Sequence, residues 1–356
     1  MQTENEKKLQ ELLDKIEPIK SNLSDKIQER LDNLTKPLGS LGKLEFFAKR
    51  YCLITDTLMP KLPRKAVLVF AGDHGIVQDG VSLFPQEVTR QMVYNFLNGG
   101  AGINVLARHA GADVRVIDMG VNGDFEDLQG LINKKVAYGT KNMTEEPAMT
   151  REEAIKSILY GSEVAVDAIN EGYDILATGD MGIGNTSPSS AITSVITGRN
   201  VEEVTGRGTG INDNSLENKI NLIKASIELN KKLFIDPIGI LSGVGGFEIG
   251  GIAGAIIGAS SMKRPVVIDG FISGAGAIIA CALKPEIRDY IFTSHKSVEK
   301  GHAVQLAHIG IEPVIDLDLR LGEGTGAAIA LTIIEAGLKI YLQMATFEEA
   351  KVSEKK

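Results

Sequence analysis

Short, mostly apolar runs, each closed by an acid and glycine, set the pattern of this chain; that at 66–71 is continuous. Ala66-Val67-Leu68-Val69-Phe70-Ala71 stops at Gly72-Asp73-His74-Gly75. The run at 114–117 stops at Asp118-Met119-Gly120, and that at 175–177 at Thr178-Gly179-Asp180. Those at 266–268 and 314–317 lead to Asp269-Gly270 and to Gly322-Glu323-Gly324. Continuous apolar runs of this length suit strands buried on both faces. Between them the period is helical. Leu9, Leu12, Leu13 and Ile16 recur on one face, Pro18 interrupts, and Ser24 can cap a second helix. Pro85 suits a helix start, with Val88, Met92, Phe96 and Leu97 on the apolar side. Thr150-Arg151-Glu152-Glu153 is a capping-box pattern opening a helix to about Asn170, and Ser215 precedes a stripe of Ile220, Ile223 and Ile227. Strands alternating with helices predict right-handed βαβ crossovers, hence an α/β fold with a parallel sheet. Binding loops of such a sheet gather beyond the carboxyl ends of its strands, where the acid-plus-glycine loops fall. The terminal segments, 1–60 and 327–356, read as a small helical lobe, and 61–326 as a large α/β domain carrying the site.

Composition narrows the function classes. With 43% hydrophobic and 24% charged residues, the sequence reads as that of a soluble globular protein. A net charge of −8 leaves no electrostatic footprint for nucleic acid or an anionic membrane. Cys52 and Cys281 lack CxxC or zinc spacing and lie in apolar surroundings, so two buried, reduced thiols in a cytoplasmic protein are expected. The first residues carry acids and no apolar h-region, unlike a signal peptide. The apolar stretch 249–261 is too short to span a bilayer.

Glu323 stands alone between glycines before a long apolar run. It reads either as an acid complementing a helix dipole or as a catalytic base that glycines leave open to a substrate. Thr178-Gly179-Asp180-Met181-Gly182-Ile183-Gly184-Asn185-Thr186-Ser187-Pro188 follows a strand and precedes a helix. It is a candidate phosphate cradle, or else an elaborate turn. It is not a Walker A, because no Gly-Lys-Ser/Thr follows. Gly243-Val244-Gly245-Gly246-Phe247-Glu248-Ile249-Gly250-Gly251 lacks the preceding strand of a dinucleotide fingerprint, so close packing of a helix on the sheet explains it better. Asp73-His74 is a weak metal pair, and His74 either fixes its loop or touches a substrate. Arg207-Gly208-Thr209-Gly210, Lys219 and Thr293-Ser294-His295-Lys296-Ser297 are solvated loop charges taken singly. Together they can neutralise one phosphate.

Taken in order, these motifs resemble the nicotinate-nucleotide–dimethylbenzimidazole phosphoribosyltransferase family. The resemblance rests on Lys36-Pro37-Leu38-Gly39-Ser40-Leu41-Gly42-Lys43-Leu44-Glu45, Asp73-His74-Gly75 and Gly182-Ile183-Gly184-Asn185-Thr186-Ser187-Pro188. It continues with Lys219, Gly243-Val244-Gly245-Gly246-Phe247, Asp269-Gly270-Phe271 and Arg320-Leu321-Gly322-Glu323-Gly324-Thr325-Gly326. It implies a Rossmann-like parallel sheet flanked by helices, a small lobe from both termini, and a homodimer. It implies phosphoribosyl transfer from nicotinate mononucleotide to 5,6-dimethylbenzimidazole, with Glu323 as general base and no metal or other cofactor. The phosphate is expected on Gly182, Gly184, Asn185 and Thr186, with Gly208, Lys219, Ser297 and Gly322. The acceptor base is expected against Phe84, Met92, Leu321 and His74, although a Met on a helix is as often core.

One position departs from the family. Asp180, expected as a catalytic acid beside Glu323, stands where a Glu is usual, with its carboxylate about one methylene, ~1.5 Å, further back. A different acceptor (a phenol or another benzimidazole), a pair of unlike subunits, or a non-catalytic nucleotide-binding subunit therefore stay open. A dinucleotide-dependent oxidoreductase is the competing enzyme class, and it lacks its fingerprint.

Overall fold

Among the described residues six strands form one parallel sheet. The computed structural model describes residues 3–353 other than Ser21, Asp127, Thr209 and Ile211. The strands are β1 (Lys65–Gly72), β2 (Ala112–Gly120), β3 (Leu131–Asn133), β4 (Ile175–Met181), β5 (Val266–Ile268) and β6 (Ile291–Thr293). Their order is β3-β2-β1-β4-β5-β6. The most apolar run becomes the central strand: β1 is buried along its whole length, with Val67 paired to Val114 on one side and Ala177 on the other. Sheet growth reverses between β1 and β4, and a ligand crevice is expected at that switch point.

Helices α1 (Glu4–Asp14), α2 (Ser24–Asn33) and α3 (Lys43–Ile54) precede the sheet. The β1–β2 crossover carries α4 (Glu87–Leu97) and α5 (Gly102–Ala110), and α6 (Arg151–Asn170) leads into β4. Between β4 and β5 lie α7 (Thr186–Thr197), α8 (Val201–Val204), α9 (Asp213–Asn230), α10 (Pro237–Val244) and α11 (Phe247–Ser261). Then come α12 (Phe271–Leu283), α13 (Lys300–Ile309), α14 (Thr325–Gln343) and α15 (Phe347–Ala350). The Thr150 capping box forms as expected: the Glu153 N–H donates to Thr150 Oγ1 at 3.2 Å, and the Thr150 N–H donates to Glu153 Oε2 at 2.8 Å.

Glycine spacing sets how closely the layers approach. Gly250, Gly254 and Gly258 recur every four residues along α11 and so lie on one face. That face meets α6: a Cβ on Gly254 would stand 1.9 Å from the Ile158 carbonyl oxygen, and one on Gly258 2.6 Å from that of Ser162. Gly251 faces the sheet, against Phe70 and Met119. The expected helix-on-sheet packing therefore accounts for Gly251, whereas Gly250 lets two helices touch. The segment before these glycines is α10, not a strand.

The terminal helices meet one another. Arg30 Nε donates to the Tyr341 carbonyl at 2.9 Å, and Tyr341 Oη to that of Leu58 at 2.9 Å. The first helix does otherwise: α1 packs on α6 and α11, and Arg151 bridges to Glu6 at 3.2 Å. α14 is long and apolar enough by length and composition to cross a membrane, which the shorter stretch 249–261 is not. About half of it is buried inside the protein, against α3, α5 and β4.

Three expectations differ from the structure. Residues 314–317 form no strand; Ile315 makes a single parallel bridge to His295 beside β6. Asp316 and Leu317 point to solvent and Asp318 turns to φ 53°, so the extended run ends at the sheet's edge. The short β3 and β6 lack the acid-plus-glycine end that marks the equally short β5, so they are not read in sequence. Ser24 is the first residue of α2 and does not cap it, and α9 is capped by Asn212, whose side chain accepts from the Ser215 N–H at 2.9 Å.

The α6–α11 seam gives a stability test. Gly254→Ala places a methyl against backbone that cannot rotate away, and overpacking of this kind costs about 3 kcal/mol. A guanidinium denaturation midpoint clearly below that of the unaltered protein is expected. An unchanged midpoint would show that the helices separate freely.

Candidate active site

A cavity of about 680 Å³ opens at the carboxyl ends of β4, β5 and β6. Three stretches build most of it. The end of β4 and the loop after it contribute Asp180, Gly182, Asn185 and Thr186; the 318–323 segment contributes Leu321, Gly322 and Glu323; α4 and the turn before it contribute Phe84 and Met92; and Gly208 and Ser297 complete the predicted set. Eleven residues singled out from sequence, scattered from 84 to 323, thus surround one space. Gly184, Lys219 and His74 do not line it.

Glu323 is reached by an unusual backbone. Gly322, Glu323 and Gly324 have φ of 81°, 62° and 93°, three left-handed residues in succession. For glutamate this conformation costs about 1–2 kcal/mol. The turn presses on the end of β4: a Cβ on Gly179 would lie 2.3 Å from the Glu323 carbonyl oxygen, so only glycine fits there. The Glu323 side chain is 6% exposed, and its Oε2 accepts from the Ile103 N–H at 3.2 Å. The helix dipole it meets is therefore that of α5, not that of α14, as local sequence suggested. Burial pushes its carboxyl above the usual range, the Ile103 N–H pulls it down, and the negative charge of Asp269 adds to the rise. The net direction is toward a stronger base.

Asp180 faces the same cavity and is 7% exposed. Its Oδ2 accepts from Asn185 Nδ2 at 3.0 Å, and its Oδ1 has no partner among the described residues. A Cβ on Gly322 would stand 3.2 Å from that oxygen, so the acid lies against the Glu323 turn. Burial, then the charge of Asp269, push its carboxyl well above the usual carboxylate range, against the Asn185 hydrogen bond. Where two acids share a site, the one shifted further is the one that keeps its proton.

The glycine-rich loop after β4 is only partly a cradle. The N–H groups of Ile183, Asn185 and Ser187 are taken by Thr89 Oγ1, the Gly182 carbonyl and the Gly184 carbonyl, at 3.1, 3.1 and 3.0 Å. Lys219 acts from behind it. It is 1% exposed and donates from Nζ to Thr186 Oγ1 at 2.6 Å, so it backs the cavity wall. Burial lowers the ammonium to about 8, with Glu299 opposing. Gly208 lies beside both: its Cβ would stand 3.1 Å from Thr186 Oγ1 and 3.5 Å from Lys219 Nζ. Arg207 pairs with Asp213, and Thr209 is outside the described residues.

His74 is not in the acceptor wall. It is fully buried behind the loop, with Nε2 2.8 Å from Glu248 Oε1. Burial pulls the imidazolium down, but Glu248 outweighs it and leaves the group above its usual value. A Cβ on Gly182 would lie 3.3 Å from Nε2, so the pair supports the loop from below. Gly184, at φ 89°, turns over Val77 and the same histidine.

Sequence reasoning takes His295 only as part of a polar loop and gives Glu299 and His302 no role. His295 and Glu299 line the cavity. His302 holds Ser297 by accepting its N–H on Nδ1 at 2.9 Å, and burial and then His295 lower its pKa to about 3, so it stays neutral. In the sequence Asp269 is only an acid closing an apolar run and part of the Asp269-Gly270-Phe271 motif, without a role. Its carboxylate accepts from the Gly324 and Ala327 N–H groups at 3.1 and 3.0 Å. No local signal distinguishes such residues from ordinary loop polar groups.

Residues 16–352 match the family model described as Phosphoribosyltransferase. The nicotinate-nucleotide–dimethylbenzimidazole phosphoribosyltransferase of Citrifermentans bemidjiense is 57% identical over 345 residues, covering 97% of this chain and 99% of that protein. The chain belongs to this family. A second member, from Geotalea uraniireducens, is 58% identical over 346 residues, covering 97% of this chain and 98% of its own. The crystal structure of the same-named enzyme from Thermus thermophilus superposes with a TM-score of 0.87 at 44% identity, over 93% of this chain and 98% of that one. The Rossmann-like parallel sheet is thus the family's fold, and the resemblance carried by the motifs holds over nearly the whole length.

A lysine buried behind the cavity wall and lowered to about 8 is expected to make any anion binding there pH-dependent. Inorganic phosphate keeps its charge between pH about 8 and about 10, while a lysine titrating near 8 loses its own. Phosphate affinity should therefore fall across this window in calorimetric titration, and Lys219→Met should flatten the dependence. A pH-independent affinity in the unaltered protein would remove Lys219 from anion binding.

Proposed function

We propose that this chain transfers the phosphoribosyl group of nicotinate mononucleotide to 5,6-dimethylbenzimidazole, giving α-ribazole 5′-phosphate and nicotinate for the nucleotide loop of cobalamin. The observation that carries the reading is Glu323, a buried carboxylate with a raised pKa, lining a cavity between apolar and phosphate-suited walls. In the nucleotide the nicotinate nitrogen is cationic, so the glycosidic bond is already activated. One benzimidazole nitrogen attacks C1′ as the C1′–N bond to nicotinate breaks, and the electron pair returns to the nicotinate ring nitrogen. The other nitrogen gives its proton to Glu323, which supplies general-base catalysis. Attack from the face opposite the leaving group inverts the β-linkage to α.

Other residues take complementary roles. Asp180, whose carboxyl burial and Asp269 push upward, presents its unpartnered Oδ1 to the same cavity beside the Glu323 turn. Gly182, Gly184, Asn185, Thr186, Gly208, Ser297 and Gly322 shape the nucleotide side, with Lys219 acting through Thr186. Phe84, Met92 and Leu321 form the acceptor wall; Phe84 and Leu321 are 48% and 60% exposed, apolar surface that an aromatic base can cover. The unpartnered Asp180 Oδ1 supports a second reading within the family, an acceptor whose own hydroxyl meets that oxygen, such as a phenol.

The lobed division, 1–60 with 327–356 against 61–326, is supported by the packing of α3 on α14 and by the Arg30–Tyr341 hydrogen bond from α2, and α1 is its exception. Exposed Leu83 and Leu317 beside Phe84 and Leu321 support a homodimer closing over the mouth. The unpaired thiols, Cys52 buried and Cys281 half-buried, support a reducing cytoplasmic setting.

The test is incubation with nicotinate mononucleotide and a panel of benzimidazoles and phenols, read by chromatography. Glu323→Gln should lower nicotinate release by on the order of 10²–10⁴-fold, as loss of a general base does. Its calorimetric affinity for the nucleotide should stay within about threefold, since the carboxylate acts on the acceptor. Wild-type turnover in this variant would remove Glu323 from the base role.

A further inference from the structure

We propose that Asp269 is the positioning residue for Glu323, tethering the turn that aims its carboxylate into the cavity; this rests on Glu323 being the general base. Asp269 ends β5, is wholly buried and does not line the cavity, so it acts through its neighbour and not on a ligand. Its two oxygens accept from Gly324 and Ala327, the N-cap and third residues of α14. Those N–H groups have no intrahelical acceptor, and Gly324 has no side chain with which to cap its own helix. An acid from another strand takes that place, immediately after the residue that carries the reacting carboxylate.

The tether decides a conformational choice. Released, the turn could extend α14 by three residues and return Glu323 from φ 62° to the right-handed region that glutamate prefers. That would carry the side chain away from the Ile103 N–H and from the cavity. Asp269 is itself fixed: Ser294 Oγ donates to its carbonyl at 2.9 Å, and His295 Nδ1 lies 3.8 Å from Oδ1. The charged and titratable groups around Glu323 are Asp269 from β5 and Asp180 from β4, with His295 after β6 facing Asp269. Removing the Asp269 charge should therefore make Glu323 a weaker base as well as a misplaced one.

The test compares the unaltered protein with Asp269→Asn and Glu323→Gln, using nicotinate mononucleotide and dimethylbenzimidazole. Asp269→Asn keeps the shape but turns one acceptor into a donor facing an N–H. Turnover is expected to fall by about 10²-fold, the scale of a 1 Å misplacement, with the nucleotide KM changed less than about threefold. The acid limb of its kcat/KM profile should move to lower pH, because a carboxylate relieved of a like charge ionises more readily. A plain helix cap would lower thermal stability and leave turnover and pH profile unchanged in the folded fraction, and that result overturns the proposal. If Glu323→Gln turns over normally, the base assignment fails and the proposal with it. If Glu323→Gln is inactive and Asp269→Asn is unaffected, only the proposal fails. Should Asp269→Asn not fold, hydrogen exchange in the unaltered protein decides. Protected Gly324 and Ala327 amides support the tether, and exchange at the rate of exposed turn amides overturns it.

Discussion

Everything at the site hangs on the contact between the 322–324 turn and the end of β4. Glu323 is held where glutamate loses about 1–2 kcal/mol to steric strain. Against this stand two hydrogen bonds to the Asp269 carboxylate, each worth roughly 1.5–3 kcal/mol when the acceptor is charged. The hydrogen bonds win. Gly179 and Gly324 let the turn come close enough to make them, since a Cβ on Gly324 would lie 2.6 Å from Val67 Cγ1. The sheet, through β1, β4 and β5, is thus the template on which the reacting carboxylate is set.

The same constraint organises the charges. Asp180, Asp269 and Glu323 converge on the carboxyl ends of two adjacent strands, and all three are pushed upward, chiefly by burial. Three anions there would be costly, so the arrangement favours keeping one proton. Asp180 is best placed to hold it: one of its oxygens has no partner, whereas both Asp269 oxygens accept backbone N–H groups that reward ionisation. A protonated Asp180 and a basic Glu323 can then line one cavity side by side.

On the opposite wall, support comes from beneath. Lys219 reaches the cavity through Thr186, the His74–Glu248 pair lies under Gly182 and Gly184, and neutral His302 holds Ser297. Several backbone donors of the glycine-rich loop are spent on its own shape. The loop is therefore a rigid surface set over buried polar groups, and its charge complement comes through side chains behind it.

The apolar runs ending in acid and glycine determined the central strands β1, β2, β4 and β5; β1, β4 and β5 are buried almost throughout, and β2 over the half that carries Asp118. They also determined that Glu323, Asp180 and the Gly182–Thr186 loop lie at one end of the sheet, since parallel strands put all their carboxyl ends together. Local pattern could not give β3 and β6, which lack the acid-plus-glycine end that marked the equally short β5, and it turned 314–317 into a strand that its edge position and Asp318 do not allow. Nor could it say which partners each polar group finds. That Glu323 meets the dipole of α5, that His74 turns inward to Glu248, and that Asp269 reaches across to cap α14 are contacts between residues far apart in the chain. Periodicity records which side of an element is buried. Only the packed tertiary structure decides which atoms then lie within 3 Å of one another.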